Sequence, residues 1–179
     1  MDKVWYQKMF SRSAKPDLRT TRAKADLGDA EAQFALGLKY SHGVVPPPDL
    51  PQAAQWYRKA ADQNHALAQF NLGIMYAKGQ GVAHDEAEAI TWFRRAADNG
   101  DAGAQHNLGM RYHRASVSGQ QMDAIESRIE AYKWLHLAAA QGYRGSDAAC
   151  ERVTLSMSRD EVTEGNQRAA ALGSGKRRD

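Results

Sequence analysis

The groups that could do chemistry in this chain are six histidines (His42, His65, His84, His106, His113 and His136), one cysteine, Cys150, and scattered carboxylates. Zinc-dependent hydrolysis asks for His-Glu-x-x-His, which sets two imidazoles one turn apart on a helix beside a carboxylate. The sequence has no such run. His106 and His113 would share a helix face but stand about two turns, ~10 Å, apart, too far to hold one ion. Cys150 has no histidine or second cysteine near it in sequence. A thiol nucleophile needs a partner that favours the thiolate, so Cys150 reads as a small apolar side chain on a helix. Gly173-Ser174-Gly175-Lys176 lacks the earlier glycine, the hydroxyl residue after lysine and the following helix of a phosphate loop. Neither Ser-x-x-Lys nor Gly-x-Ser-x-Gly is present. The expectation is a protein that is not an enzyme, with no catalytic residue, no metal and no cofactor.

Composition narrows the classes further. The net charge is +3 and 25% of residues are charged, with acids interleaved among the bases. Nucleic-acid binding would want a basic stripe on one face; the only basic run is Lys176-Arg177-Arg178 in the tail, so no nucleic-acid partner is expected. One cysteine allows no disulfide within the chain, which fits a reducing compartment. No run of 18 apolar residues exists, so no membrane-spanning helix is expected. Met1–Phe10 lacks the apolar core of a secretory signal. Residues 8 to 24 faintly resemble an organelle transit peptide but read as a solvated lead-in. A cytoplasmic protein is expected.

The elements that must position any working residue follow a fixed period. Gln33-Phe34-Ala35-Leu36-Gly37-Leu38-Lys39-Tyr40 recurs as Gln69–Tyr76 and as Gln105–Tyr112, a step of 36 residues each time. Trp56–Ala61 and Trp92–Ala97 repeat with the same step, and Trp134, Ala138, Ala139 and Gly142 follow 42 residues after Trp92, Ala96, Ala97 and Gly100. A period in this range marks a stacked array in which each unit is two helices. Alanine is abundant and β-branched residues are sparse, which favours helix. Repeats are expected at 28–64, 65–100 and 101–143, after a lead-in and capping helix at 1–27. Within the lead-in, Val4, Trp5, Met9 and Phe10 fall at roughly helical spacing, and Leu18–Leu27 forms a helix stopped by Gly28. Asp49 and Asp85 each cap a second helix, and Pro51 suits a first turn. The six extra residues of the third repeat fall between Arg114 and Tyr132. Ala115–Gln121 reads as a loop, either a working surface or a tolerated insertion, with the next helix starting near Met122. Capping helices follow over 144–172. The last of them opens on a capping box, Ser158 with Glu161, and ends near Leu172 before a tail at 173–179.

Packing accounts for much of the repeated identity. Leu72 and Tyr76 share a face, while Gly73, Ala66 and Ala68 admit a close neighbour. Ala89, Phe93, Ala96 and Ala97 supply the matching face of the second helix.

The pattern A-x-A-Q-x-x-L-G-x-x-Y-x-x-G-x-G-V-x-x-D-x-x-x-A-x-x-W-F-x-x-A-A-x-x-G, as it stands from Ala66 to Gly100, closely resembles the Sel-one-like repeat of the tetratricopeptide-like superfamily. The resemblance covers roughly residues 28 to 143. The first repeat departs at Val45-Pro46-Pro47-Pro48, and the third has Ala115 in place of the turn glycine. It implies an all-α fold, a right-handed α-solenoid of antiparallel helix pairs with the first helices lining a concave side. It implies an adaptor or scaffold that binds a peptide or helix of another protein. The β-lactamase-labelled relatives would imply a small hydrolase, but they carry regular cysteine pairs and this chain has none. A structural subunit packing end to end or symmetrically is the remaining alternative.

In the tetratricopeptide-like frame the groove is lined by Glu31, Phe34, Leu38, Ser41 and His42 in the first repeat. Leu67, Phe70, Ile74, Ala77 and Lys78 line it in the second, and Gly103, His106, Met110, His113 and Arg114 in the third. Phe34, Phe70 and His106 would form one exposed ladder, and Leu38, Ile74 and Met110 another. With Lys78 and Arg114 at its edge, such a strip suits a segment with an acidic end. The alternatives are that these side chains are core, or that the Val4–Phe10 segment covers them.

Overall fold

The computed structural model describes residues 18–43, 47–118 and 123–175, and every regular element among them is helical. The helix expected at Val4–Phe10 lies outside them. The order is α1 (Leu18–Asp26), α2 (Ala30–Ser41), α3 (Leu50–Asp62), α4 (Ala66–Lys78), α5 (Glu86–Asp98), α6 (Ala102–Ser118), α7 (Ala124–Ala140), α8 (Ser146–Thr154) and α9 (Arg159–Gly175). Helices α2/α3, α4/α5 and α6/α7 are the three antiparallel pairs. Each pair packs on the next through its second helix, α3 on α4 and α5 on α6. The result is an α-solenoid. No helix among the described residues is long and apolar enough to cross a membrane.

Each boundary has a local cause. The Asp49 carboxylate accepts the Gln52 N–H at 2.9 Å and that of Asp85 the Glu88 N–H at 3.0 Å, opening α3 and α5. Asp29 does the same for α2. At the start of α4 the acceptor is an imidazole, His65 Nδ1, which takes the Ala68 N–H at 3.2 Å. An Asp85→Ala substitution is expected to cost about 1 kcal/mol, read as a lowered urea midpoint with an unaltered slope. Second helices stop the same way each time. Asn64, Gly100 and Gly142 turn left-handed, and the next N–H (His65, Asp101, Tyr143) returns to Ala60, Ala96 or Ala138. That six-to-one bond satisfies a carbonyl the helix end leaves open.

The two helices of a pair meet where the first has no side chain. A Cβ on Gly73 would lie 2.9 Å from the Phe93 ring and 3.3 Å from the Ala89 carbonyl oxygen. Gly37 against Tyr57 and Gly109 against Leu135 repeat the contact. Cores then form between units. One runs from Phe34 and Tyr57 to Leu72 and Trp92, a second from Phe70 and Phe93 to Leu108 and Trp134.

Two expectations are corrected here. Ala115–Ser118, read as loop, is helical. Gly79 ends α4 in the left-handed conformation, and its counterpart in α6 is Ala115, so the helix continues. Helices α6 and α7 are 17 residues each against 13 for α4 and α5, so helix absorbs the whole six-residue insertion and the connection between them is shorter than that between α4 and α5. The final helix also runs past Leu172 to Gly175, Leu172 itself packing on the second core. Its start is as expected, the Ser158 hydroxyl accepting the Glu161 N–H at 3.2 Å.

Helix α9 does not pair with α8 but folds back on α7. Arg128 grips Glu161 through two N–H bonds at 2.9 and 3.1 Å. Arg168 reaches both Glu126 and Glu130, and the Tyr132 hydroxyl donates to Asn166. These carboxylates hold the Arg168 guanidinium well above its usual range, Glu126 most of all and then Glu164.

Candidate partner-binding surface

The expected aromatic ladder is not on the surface. Phe34 is 3% exposed and Phe70 4%, and Leu38 is buried with them. The Phe34 ring stacks on His65 with centroids 4.6 Å apart. Phe70 tilts onto Phe93 at 5.8 Å, and a Cβ on Gly103 would sit 2.9 Å from its tip. The third rung, His106, is half-buried; its ring lies 5.2 Å from Tyr143, and its Nδ1 is 2.9 Å from the Ser146 hydroxyl. Each rung therefore closes the junction with the unit that follows. Small or flat residues at that junction let the next helix settle on the ring.

What stays open on the first helices is a stripe one position over. On α4 it is Leu67, Asn71, Ile74 and Lys78; on α6 it is Asn107, Met110 and Arg114. The spacing i, i+4, i+7, i+11 keeps each set on one face. Leu67, Ile74 and Met110 lean on the cores without being covered. Asn71 and Asn107, absent from the expected set, each donate to the carbonyl four residues back at 2.8 Å, which fixes their amides. In the first repeat the same face presents Glu31, Ala35 and His42.

Charge gathers at one end of the stripe. Lys78 and Arg114 are exposed and enter no ion pair among the described residues. Arg111, beside them on α6, bonds Glu86 and lies over the Phe93 ring at 5.1 Å, yet its Nε is buried without a partner among the described residues. Burial lowers its pKa, and Arg114 lowers it further. His113 Nδ1 is likewise buried and unpartnered.

The repeated glutamine has a structural job that sequence reasoning missed. Gln33, Gln69 and Gln105 donate to Ala25, Ala61 and Ala97 carbonyls at 3.1, 3.0 and 3.2 Å. Their own side-chain oxygens accept from Gln63, Asn99 and Gln141 at 2.8, 3.0 and 2.8 Å. One amide thus ties the end of the preceding second helix to the end of the following one. The signal was present in the fixed Gln, but its partner alternates between Gln and Asn.

The remaining reactive groups are structural. The Cys150 thiol is pushed up by burial, with Asp147 and Glu151 adding to the effect against a bond from Thr154. Such a thiol stays protonated and is a poor nucleophile. The His106–Ser146 pair has the residue types of an acyl-transfer dyad. However, Ser146 is fully buried, and burial and Arg152 hold the imidazole pKa down. Burial opposes the Glu130 charge, but bonds from Lys133, Arg168 and Trp134 keep its carboxyl below the usual range. No group of His, Cys, Asp and Glu among the described residues is placed to hold a metal ion.

The model of the Sel1 repeat matches this chain three times, at residues 30–65, 66–101 and 102–143. No curated protein matches it. Among solved structures it is similar to a Sel1 repeat protein from Oxalobacter formigenes, at 36% identity and a TM-score of 0.66, over 76% of this chain and 98% of that one. It is also similar to c5321, a protective antigen present in uropathogenic Escherichia coli strains displaying an SLR fold. There the identity is 31% and the TM-score 0.67, over 94% of this chain and 37% of that one.

Proposed function

The chain belongs to the Sel1 repeat family, whose members typically act as non-enzymatic scaffolds for protein–protein interaction, and from that premise we propose that it is an adaptor holding a segment of a partner protein across α4 and α6. The carrying observation is the half-open stripe of Leu67, Asn71, Ile74, Asn107 and Met110 ending at the unpaired Lys78 and Arg114. Apolar side chains of an extended or helical segment fit the stripe. The fixed amides of Asn71 and Asn107 suit its backbone, and an acidic group meets the two cations. His42, His106 and His113 flank this path, whereas Phe34, Leu38 and Phe70 serve it only from below. Stacked repeats make extended concave surfaces on which one segment can touch several units.

The test is affinity capture with mass spectrometry, comparing wild type with Lys78→Glu/Arg114→Glu. Reversing two exposed charges is expected to weaken the specific partner about tenfold or more. Both side chains are exposed, so the melting temperature should hold. A partner retained at full affinity by the double variant overturns the reading.

A further inference from the structure

Among the described residues each end of the array holds half a unit, and the halves are of opposite kinds. Helix α1 packs on α2 as α3 packs on α4. Arg22 reaches the Tyr40 hydroxyl and lies 4.9 Å over the Trp56 ring, as Arg58 reaches Tyr76 and lies over Trp92. Helix α1 is therefore the second helix of a unit with no first helix among the described residues. At the other end α8 seats Ala149 and Val153 on the third core, in the place of a fourth first helix. No second helix packs beside it among the described residues, because α9 turns back over α7.

Beside each half-unit the described residues form a cleft. Between α1 and α2 it measures about 410 Å³ and is lined by Leu18, Arg22, Ala23 and Tyr40 among others. Between α7 and α8 it measures about 520 Å³ and is lined by Tyr132, His136, Cys150 and Leu155 among others. Their charges are complementary. The first cleft carries Arg19 beside the Arg22–Asp26 ion pair, a net positive lining; the second carries Asp147 and Glu151, with no Lys or Arg among its described lining residues. Leu155, 88% exposed at the rim of the second, is apolar surface with nothing on it.

The geometry points to a second copy of this chain as the occupant of both clefts: α1 of one molecule lies in the α7/α8 cleft of the next, and that molecule's α8 lies in the α1/α2 cleft of the first. The two half-units complete one repeat across the contact. The interface is head to tail, so each added copy leaves one end of each kind open and the assembly extends as a chain of molecules. This surface is separate from the stripe on α4 and α6.

Sedimentation equilibrium on the full chain, from about 5 µM to about 0.5 mM, tests this. The average mass should climb from one 19.8 kDa copy past two copies as concentration rises. Ala23→Glu faces Asp147 and Glu151 of the neighbour, and Leu155→Lys faces Arg19 and Arg22. Both side chains are exposed in the single molecule, so both variants should keep the wild-type circular dichroism. Each alone should remain at one copy, and an equimolar mixture should associate again, because each supplies the intact end the other lacks. A wild type that stays at 19.8 kDa throughout overturns the proposal; if Ala23→Glu then also lowers the melting temperature, residues 1–17 of the same chain occupy the α1/α2 cleft. A mass that stops at two copies, or a mixture that does not recover, also overturns it, in favour of a symmetric contact or none.

Discussion

Phe70→Ala is expected to lower stability by about 3–5 kcal/mol, and Phe70→Glu to leave no cooperative unfolding transition. The ring is buried to 4% exposure and sits between Phe93 of its own unit and Gly103 of the next. Truncation removes the apolar contacts and leaves a cavity that backbone on both sides, being helical, cannot close. The glutamate would add a charge with no partner in an apolar junction. In an array each unit is held chiefly by its neighbours, and a domain has only about 5–15 kcal/mol in total. Loss at this junction therefore uncouples the units up to α5 from α6–α8. Urea unfolding followed by circular dichroism checks this: a broadened or two-step transition at a lower midpoint is the expected trace. A loss below about 1 kcal/mol would mean that Phe70 is not the wedge described. Ile74→Ala, one turn away on the open stripe, is the control and should cost much less.

Gln69→Leu should cost about 1–3 kcal/mol despite conserving volume and adding apolar surface. Gln69 is fully buried; it donates to the Ala61 carbonyl and accepts from Asn99. Leucine leaves the buried Ala61 carbonyl at that end of α3 short of a bond, while the exposed Asn99 amide loses its partner but can turn to water and to the Asn64 carbonyl. The Ala61 carbonyl still takes the Asn64 N–H, which bounds the loss. A double-mutant cycle with Asn99→Ala isolates the bond between the two amides: the two losses should be less than additive, with a coupling of about 0.5 kcal/mol or more. Strict additivity would show that the ladder bond contributes nothing.

Periodicity exposed most of the architecture, because repeated packing leaves repeated residues. Gly73 against Phe93, the caps at Asp49 and Asp85 and the start of α9 at Ser158 follow from local chemistry that sequence displays. Which face of a first helix stays open does not. Phe34, Phe70 and His106 fall on the groove side in a tetratricopeptide-like frame, yet these units approach closely enough to cover them. That approach depends on residues some thirty positions downstream (His65, Gly103 and Tyr143), which share no pattern. Leu67, Ile74 and Met110 belong to the set expected from sequence and stay half-exposed; Asn71 and Asn107 do not belong to it, since a polar residue on a half-exposed face carries no periodic signal. The helical Ala115–Ser118 turned on a single missing glycine. The Leu155 end was invisible because it arises from the path of α9, which its own sequence does not dictate.

The cap on α4 has a consequence for proton placement. The other described first-helix caps use the carboxylates of Asp29 and Asp101, which accept through any lone pair. An imidazole accepts only through a nitrogen without hydrogen. Because His65 Nδ1 takes the Ala68 N–H, the fold assigns its one proton to Nε2, the atom facing Glu31 at 3.2 Å. His42 has no such single role: its Nδ1 lies between the Ser41 hydroxyl at 2.9 Å and the Leu38 carbonyl oxygen at 3.0 Å. The imidazole cap of α4 thus fixes one tautomer at His65, a choice the carboxylate caps never face.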